Sequence, residues 1–186
     1  MHPRSNERAT QTCLAFGNFC IKAHLQISYL SRMTDVTTNY KPTADDLLLI
    51  ARAEESLANA YAPYSGFHVA TALLLKNGMV VTGTNQENAA YPAGMCAERV
   101  ALFTAAAQFP GIQILKMAVV ARKAGASQLS PATSCGSCRQ VMVEFEHRQP
   151  EPFEVIMLER QGSWLHVPSA STLLPFSFNK SNLSEP

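Results

Sequence analysis

Runs of basic residues are missing from this chain. Fifteen lysines and arginines stand against 14 aspartates and glutamates, for a formal net charge of +1, and no stretch concentrates them. A nucleic-acid surface usually shows as a basic patch or stripe, so nucleic acid is not an expected partner. Also missing is a continuous apolar run of about 20 residues, the length that spans a bilayer. The most apolar early stretch, Cys13 to Leu30, is interrupted by Asn18, Lys22, His24 and Gln26. It has no clear apolar region ending in a small-residue cleavage site, as a secretory signal would. Cysteine is scarce and odd in number: Cys13, Cys20, Cys96, Cys135 and Cys138. Such a set is a poor disulfide framework, and a chain of this size needs none. The expectation is a cytoplasmic chain with no membrane partner, in a reducing compartment suited to metal or thiol chemistry.

What is present is enough for one ordinary domain with an appendage: 186 residues, 47% of them apolar. There is no internal repeat and no low-complexity tract. Residues 1–42 mix polar residues and isolated aromatics without helix or strand periodicity, and are expected to be a poorly ordered extension. Met33, close to the end of this segment, is a candidate start of the functional chain. The folded domain is expected over 43–180, with 181–186 as a tail.

Within the domain, Thr43 or Asp45 is placed to cap a helix. Leu47, Ile50, Ala51, Leu57, Ala58 and Tyr61 continue it at helical spacing, and Pro63 ends it. Phe67–Leu75 reads as a strand, Asn77-Gly78 as a hairpin turn, and Met79–Asn85 as the returning strand. A helix is expected from Cys96 to about Ala107, a buried strand over Ile114–Arg122, and a helix from Cys135 to about His147. Strands follow at Phe153–Glu159 and Trp164–Val167, and Leu173–Phe178 closes the domain. This alternation points to an α/β fold with helices layered on a mixed sheet.

The chemistry concentrates in two stretches, Gly94–Leu102 and Ser134–Gln140. Cys135 and Cys138 have C-x-x-C spacing, and at a helix start both thiols reach one ion. A helix N-terminus also lowers thiol pKa, and thiolates are what zinc requires. Cys96 supplies a third ligand. Three protein ligands leave a fourth tetrahedral position for water, the mark of a catalytic zinc site. Cys13 and Cys20 fall in the extension, and His147 lies about two and a half turns past Cys138, too far to complete the set. Glu98 is about 200° around an ideal helix from Cys96, so the two share a site only if Cys96 stands where the chain enters the helix. Pro92 and Gly94 just before it fit that requirement. A carboxylate there is placed for general acid–base work. Zinc with three thiolates is net anionic. Arg99 hydrogen-bonded to the sulfurs would withdraw charge and restore Lewis acidity.

These residues resemble a known family. Cys96-Ala97-Glu98-Arg99 followed by Cys135-Gly136-Ser137-Cys138-Arg139-Gln140 is similar to the zinc signature of the small homotetrameric cytidine deaminases. Tyr61-Ala62-Pro63-Tyr64-Ser65 with Phe67, Asn85-Gln86-Glu87-Asn88-Ala89, and Leu173-Leu174-Pro175 with Phe178 resemble further segments of that family in the same order. The resemblance covers about 45–180. It implies a three-layer sandwich, with helices on both faces of a mixed, mainly five-stranded sheet. It implies one zinc ion per subunit on Cys96, Cys135 and Cys138, with Glu98 as the catalytic proton shuttle. It assigns the nucleoside to Asn85 and Glu87 at the ribose, Phe67 and the Ala97 N–H at the base, and Tyr91 and Phe178 at sites shared between subunits of a homotetramer. The implied reaction is hydrolytic deamination of cytidine and 2′-deoxycytidine, a step of pyrimidine salvage. Ser134 departs from the family at a position that is usually proline, which would soften the loop before Cys135. Gln86 and Ala70-Thr71 also depart, without removing a catalytic group.

Other readings of the same residues remain open. Cys135-x-x-Cys138 alone suits a redox dithiol or a structural zinc. A zinc-stabilised binding module predicts four protein ligands or a reversible disulfide. Among enzymes, a deaminase of another aminopyrimidine or of a polynucleotide would share the zinc motif. Arg139 is balanced between a surface charge and a role beside the metal.

Overall fold

The computed structural model describes residues 36–184. Six strands and four α-helices follow one another: β1 (Thr37–Tyr40), α1 (Ala44–Ser56), β2 (Phe67–Leu75), β3 (Val80–Thr84), α2 (Ala97–Gln108), β4 (Ile114–Lys123), α3 (Gly136–Glu146), β5 (Glu154–Leu158), β6 (Trp164–Val167) and α4 (Ser181–Ser184). The strands form one sheet in the order β1-β6-β5-β4-β2-β3. Only β4 and β5 run parallel, joined through α3. All other pairings are antiparallel.

Strand alternation sorts the core into two layers. Ala70, Ala72, Ala118, Val120 and Ile156 face α1, where they meet Leu49, Ile50, Ala53 and Leu57. Leu73, Leu75, Met117, Val119, Val155 and Met157 face the other way, onto α2 and α3 through Leu102, Met142 and Phe145. The expected three-layer arrangement is therefore present. On the α2 side, Gly83 of β3 allows the helix backbone to come close. A Cβ there would lie 2.3 Å from the Ala101 nitrogen and 2.7 Å from the Ala97 oxygen. This close approach seats the first turn of α2 directly on the sheet.

The structure corrects three expectations. The sheet has six strands, not five. The sixth is β1, which falls within the expected 1–42 extension; the domain thus reaches back at least to Thr37. β1 pairs with β6 through Thr37↔His166 and Tyr40↔Trp164 with an irregular register, and Asn39 has φ 55°. Four residues with a bulge carry no legible alternation. The strand is instead secured by tertiary contacts: Tyr40 stacks on His166 at 4.7 Å and donates to Asp46 Oδ2 at 2.6 Å. The rest of the 1–42 assignment, Met33 included, lies outside the described residues. Second, α1 stops at Ser56 and continues as a 3-10 turn over Leu57–Asn59. Third, its buried stripe is Asp46, Leu49, Ile50, Ala53 and Ser56, while Leu47, Ala51 and Ala58 face outward. The stripe turned because a buried carboxylate, Asp46, takes an inward position. Asp46 completes a capping box with Thr43 and pairs with Lys116 of β4.

Among the described residues no helix is long and apolar enough to cross a membrane.

Candidate metal centre and active site

Two helix starts build the centre. Cys96 is the N-cap of α2, and Cys135 is the N-cap of α3. Neither cap is satisfied by a side-chain hydrogen bond. Both helix N-termini thus turn unsatisfied N–H groups toward the sulfurs, favouring negative charge there. Cys138 follows in the first turn of α3 and is buried. The Cys96 and Cys135 sulfurs are 3.9 Å apart, and those of Cys135 and Cys138 3.5 Å. Among the described residues this is the one group of three or more His, Cys, Asp or Glu that could hold a metal ion, with all ligand atoms within 4.8 Å of one another. Three soft donors at that separation suit zinc.

Charge is already prepared for an ion. The Cys96 thiol is held down at about 5 by hydrogen bonding from Cys138 and then Arg99 and Cys135, against the opposing effect of burial. The Cys138 thiol is pushed up, because it donates to Cys96 and because it is buried. Negative charge is therefore favoured on Cys96, the form in which a cysteine ligates a metal. Arg99 Nη2 lies 3.6 Å from Cys96 Sγ, as charge compensation of the thiolates requires.

Glu98 is 4% exposed. Burial raises its pKa, the neighbouring Cys96 adds to this, and its own backbone amide and Ser134 act in the opposite direction. Ser134 itself is buried and held at several points. Its amide lies 3.4 Å from Met157 Sδ, its hydroxyl 3.5 Å from the same sulfur, and its carbonyl accepts from Arg139 Nε at 2.8 Å. The serine amide makes a contact that proline has no hydrogen to make, so the loop is fastened rather than slack. Ala132 N also donates to the Leu158 carbonyl at 3.0 Å, which carries the loop across the C-terminal end of β5. Ligand sites of open α/β sheets form at that end of parallel strands.

A cavity of about 570 Å³ opens beside Cys96 and Ala97. Its walls include Asn85, Glu87, Tyr91 and Arg99. A small ladder brings them there. Tyr61 N donates to the Asn85 carbonyl at 3.0 Å, Glu87 N to the Tyr61 carbonyl at 2.8 Å, and Gln86 and Met95 exchange bonds at 2.9 and 2.8 Å. Met95 directly precedes Cys96, so this ladder fixes the 85–87 segment against the metal end. The Asn85 amide is anchored to β2, accepting from Val69 N at 2.8 Å and donating to the Phe67 carbonyl at 2.9 Å. Tyr91, 79% exposed, meets Tyr64 edge to face at 6.4 Å on the cavity rim.

Of the expected site residues, Glu98, Cys135, Cys138, Phe67 and Phe178 are not among the cavity's lining residues. Phe67 adjoins it, its carbonyl accepting from Asn85 Nδ2 and its amide donating to Ser65 Oγ. Phe178 is 61% exposed, and its carbonyl accepts from Gln140 Nε2 at 2.6 Å. Arg139, left open above, serves as a fastener: besides the Ser134 carbonyl it reaches the Leu173 carbonyl at 3.4 Å. Tyr64 and Ser65, which belong to a segment of the family resemblance but carry no assigned role in it, both line the cavity and both donate to Glu87. Their local pattern does not reveal that role, because the partner is more than 20 positions away.

Comparisons with known proteins agree with this geometry. The family model for the cytidine and deoxycytidylate deaminase zinc-binding region matches residues 43–150. A cytidine deaminase of Halalkalibacterium halodurans is 38% identical over 141 residues, covering 76% of this chain and 99% of that protein. A probable cytidine deaminase of Dictyostelium discoideum is 36% identical over 134 residues, 72% of this chain and 84% of that protein. A crystal structure of cytidine deaminase from Burkholderia pseudomallei superposes with a TM-score of 0.59 at 42% identity, covering 74% of this chain and all of that one.

Proposed function

The chain belongs to the cytidine and deoxycytidylate deaminase zinc-binding family, and from that premise we propose that it catalyses hydrolytic deamination of cytidine and 2′-deoxycytidine to the uridine products with release of ammonia. The observation that carries this reading is the three-thiol centre with buried Glu98 two residues past one ligand, its Cys96 lining a cavity walled by Asn85 and Glu87. Zinc on Cys96, Cys135 and Cys138, when bound, supplies Lewis acidity that makes a water acidic enough to attack at neutral pH. Glu98 accepts that water's proton and delivers it to N3 of the pyrimidine, then passes a second proton to the departing amino group. Its burial suits the task, since a carboxylate with raised proton affinity holds a proton more readily between transfers. Arg99 offsets thiolate charge, and on this reading the Ala97 N–H at the helix start donates to the base carbonyl.

Asn85 and Glu87 receive the sugar: an amide donor beside a carboxylate acceptor matches an alcohol edge. Tyr91 contributes at the rim. Phe67, bonded through its backbone to Ser65 and Asn85, belongs to this reading as the packing partner of the pyrimidine, and Tyr91 and Phe178 belong to it at sites shared between the subunits of a homotetramer. That assembly is supported by the exposure of Tyr91 and Phe178 and by their absence from any packed core of the single chain. The catalytic domain on this reading extends from β1 to about residue 180. A reducing compartment such as the cytoplasm keeps the three thiols available for zinc.

A cytidine deamination assay with zinc quantified on the same sample tests the proposal. Ammonia and uridine should appear in proportion to zinc content, with 2′-deoxycytidine also turned over. Zinc-loaded protein that releases no ammonia from either nucleoside would refute it.

A further inference from the structure

The Glu87 carboxylate is not free in its cavity. Ser65 donates its hydroxyl to Glu87 Oε1. The Ser65 amide reaches Oε2 at 3.2 Å, and the Tyr64 amide reaches the same oxygen at 2.9 Å. The serine hydroxyl is itself oriented, because Ser65 Oγ accepts from the Phe67 N–H at 3.0 Å, which directs its own hydrogen onto the carboxylate. Three donors from two consecutive residues thus meet one side chain across 22 and 23 positions of sequence. A carboxylate offers about four lone-pair positions. Two on Oε2 and one on Oε1 are taken, which leaves one acceptor position, on Oε1. The same donors keep Glu87 ionised, its pKa lowered first by Ser65.

We propose that Ser65 is a positioning residue for substrate recognition: through its hydroxyl it holds Glu87 against the cavity with a single open acceptor position, ready for one sugar hydroxyl. The inference rests on the reading of Glu87 as the sugar acceptor. A glutamate at an open wall otherwise samples several rotamers, and ordering it on binding weakens affinity. Ser65 performs that ordering in advance. The sugar lies away from the reacting carbon, so the interaction is equally present in ground and transition states. Its loss therefore raises KM and leaves kcat.

The experiment compares wild type, S65A, S65T, E87Q and S65A/E87Q with cytidine, measuring kcat and KM and the zinc bound to each protein. S65A is expected to raise KM about five- to tenfold with kcat within about twofold and zinc unchanged. S65T, which keeps the hydroxyl, should return KM to near wild type. S65A should add little in the E87Q background, because both changes remove one interaction. A wild-type KM for S65A overturns the proposal. So does full additivity with E87Q, or loss of zinc in parallel with the KM effect, which would mark a structural role. E87Q with wild-type KM overturns the underlying sugar reading instead, whatever S65A does.

Discussion

Glu98 and Glu87 are two carboxylates whose surroundings push them in opposite directions. Glu98 is buried beside sulfur and its proton affinity rises. Glu87 takes three donors and its proton affinity falls. In the proposed reaction the first moves protons and the second stays charged to accept a hydroxyl, as divergent environments allow. Glu98→Gln keeps shape and burial but has no proton to exchange. It should lower kcat by about 10²- to 10⁴-fold while zinc per chain, measured by atomic absorption, stays at the wild-type level. A Glu98→Gln protein that turns over cytidine normally would remove Glu98 from the mechanism.

At the scale of elements, Asp46 ties three of them together. It caps α1 with Thr43, accepts from Tyr40 of β1 and pairs with Lys116 of β4, which also holds Glu154 of β5 at 3.1 Å. Burial works to raise the Asp46 pKa, but Lys116, Tyr40 and Thr43 together outweigh it, and the net shift is downward. A carboxyl depressed in the folded state stabilises above its unfolded pKa of about 3.9, and that contribution fades as pH falls below it. Asp46→Asn should therefore lower stability at pH 7 by about 3 kcal/mol, as expected on removing one partner of a buried pair. The gap to wild type in urea unfolding should narrow below about pH 4. A gap independent of pH would show that packing, not charge, sets the effect. Because the same network secures β1, limited proteolysis near Thr37 should accelerate in this variant.

At the scale of the whole molecule, the proposed homotetramer makes a claim about Phe178 that can be tested. Phe178 lies on the exposed C-terminal segment that Gln140 and Arg139 of α3 hold, outside the cavity of its own chain. If it closes a neighbour's site, mixed assemblies regain what each variant lacks. Glu98→Gln and Phe178→Ala proteins, unfolded together and refolded as a mixture, should recover about a quarter of wild-type activity, since complementary neighbours form by chance. Activity no greater than the average of the two separate proteins would place Phe178 in its own chain's structure.

The sequence by itself determined the local chemistry. Cys96, Cys135 and Cys138, the helix starts that carry them, the hairpin at Asn77-Gly78 and the alternation of β2 and β4 are all properties of short spans, where period and spacing dictate geometry. The family motifs extended that reach to Asn85 and Glu87. Tertiary structure alone decided which face of α1 is buried, because Asp46 answers to Lys116 at a distance of 70 positions. It also decided that Thr37–Tyr40 is a strand, since four bulged residues are held by Tyr40 on His166 and Asp46 rather than by their own pattern. The fastening of Glu87 by Ser65 belongs to the same class. A hydrogen bond forms where the fold brings donor and acceptor within reach, and no periodicity along the chain encodes a meeting between residues that far apart.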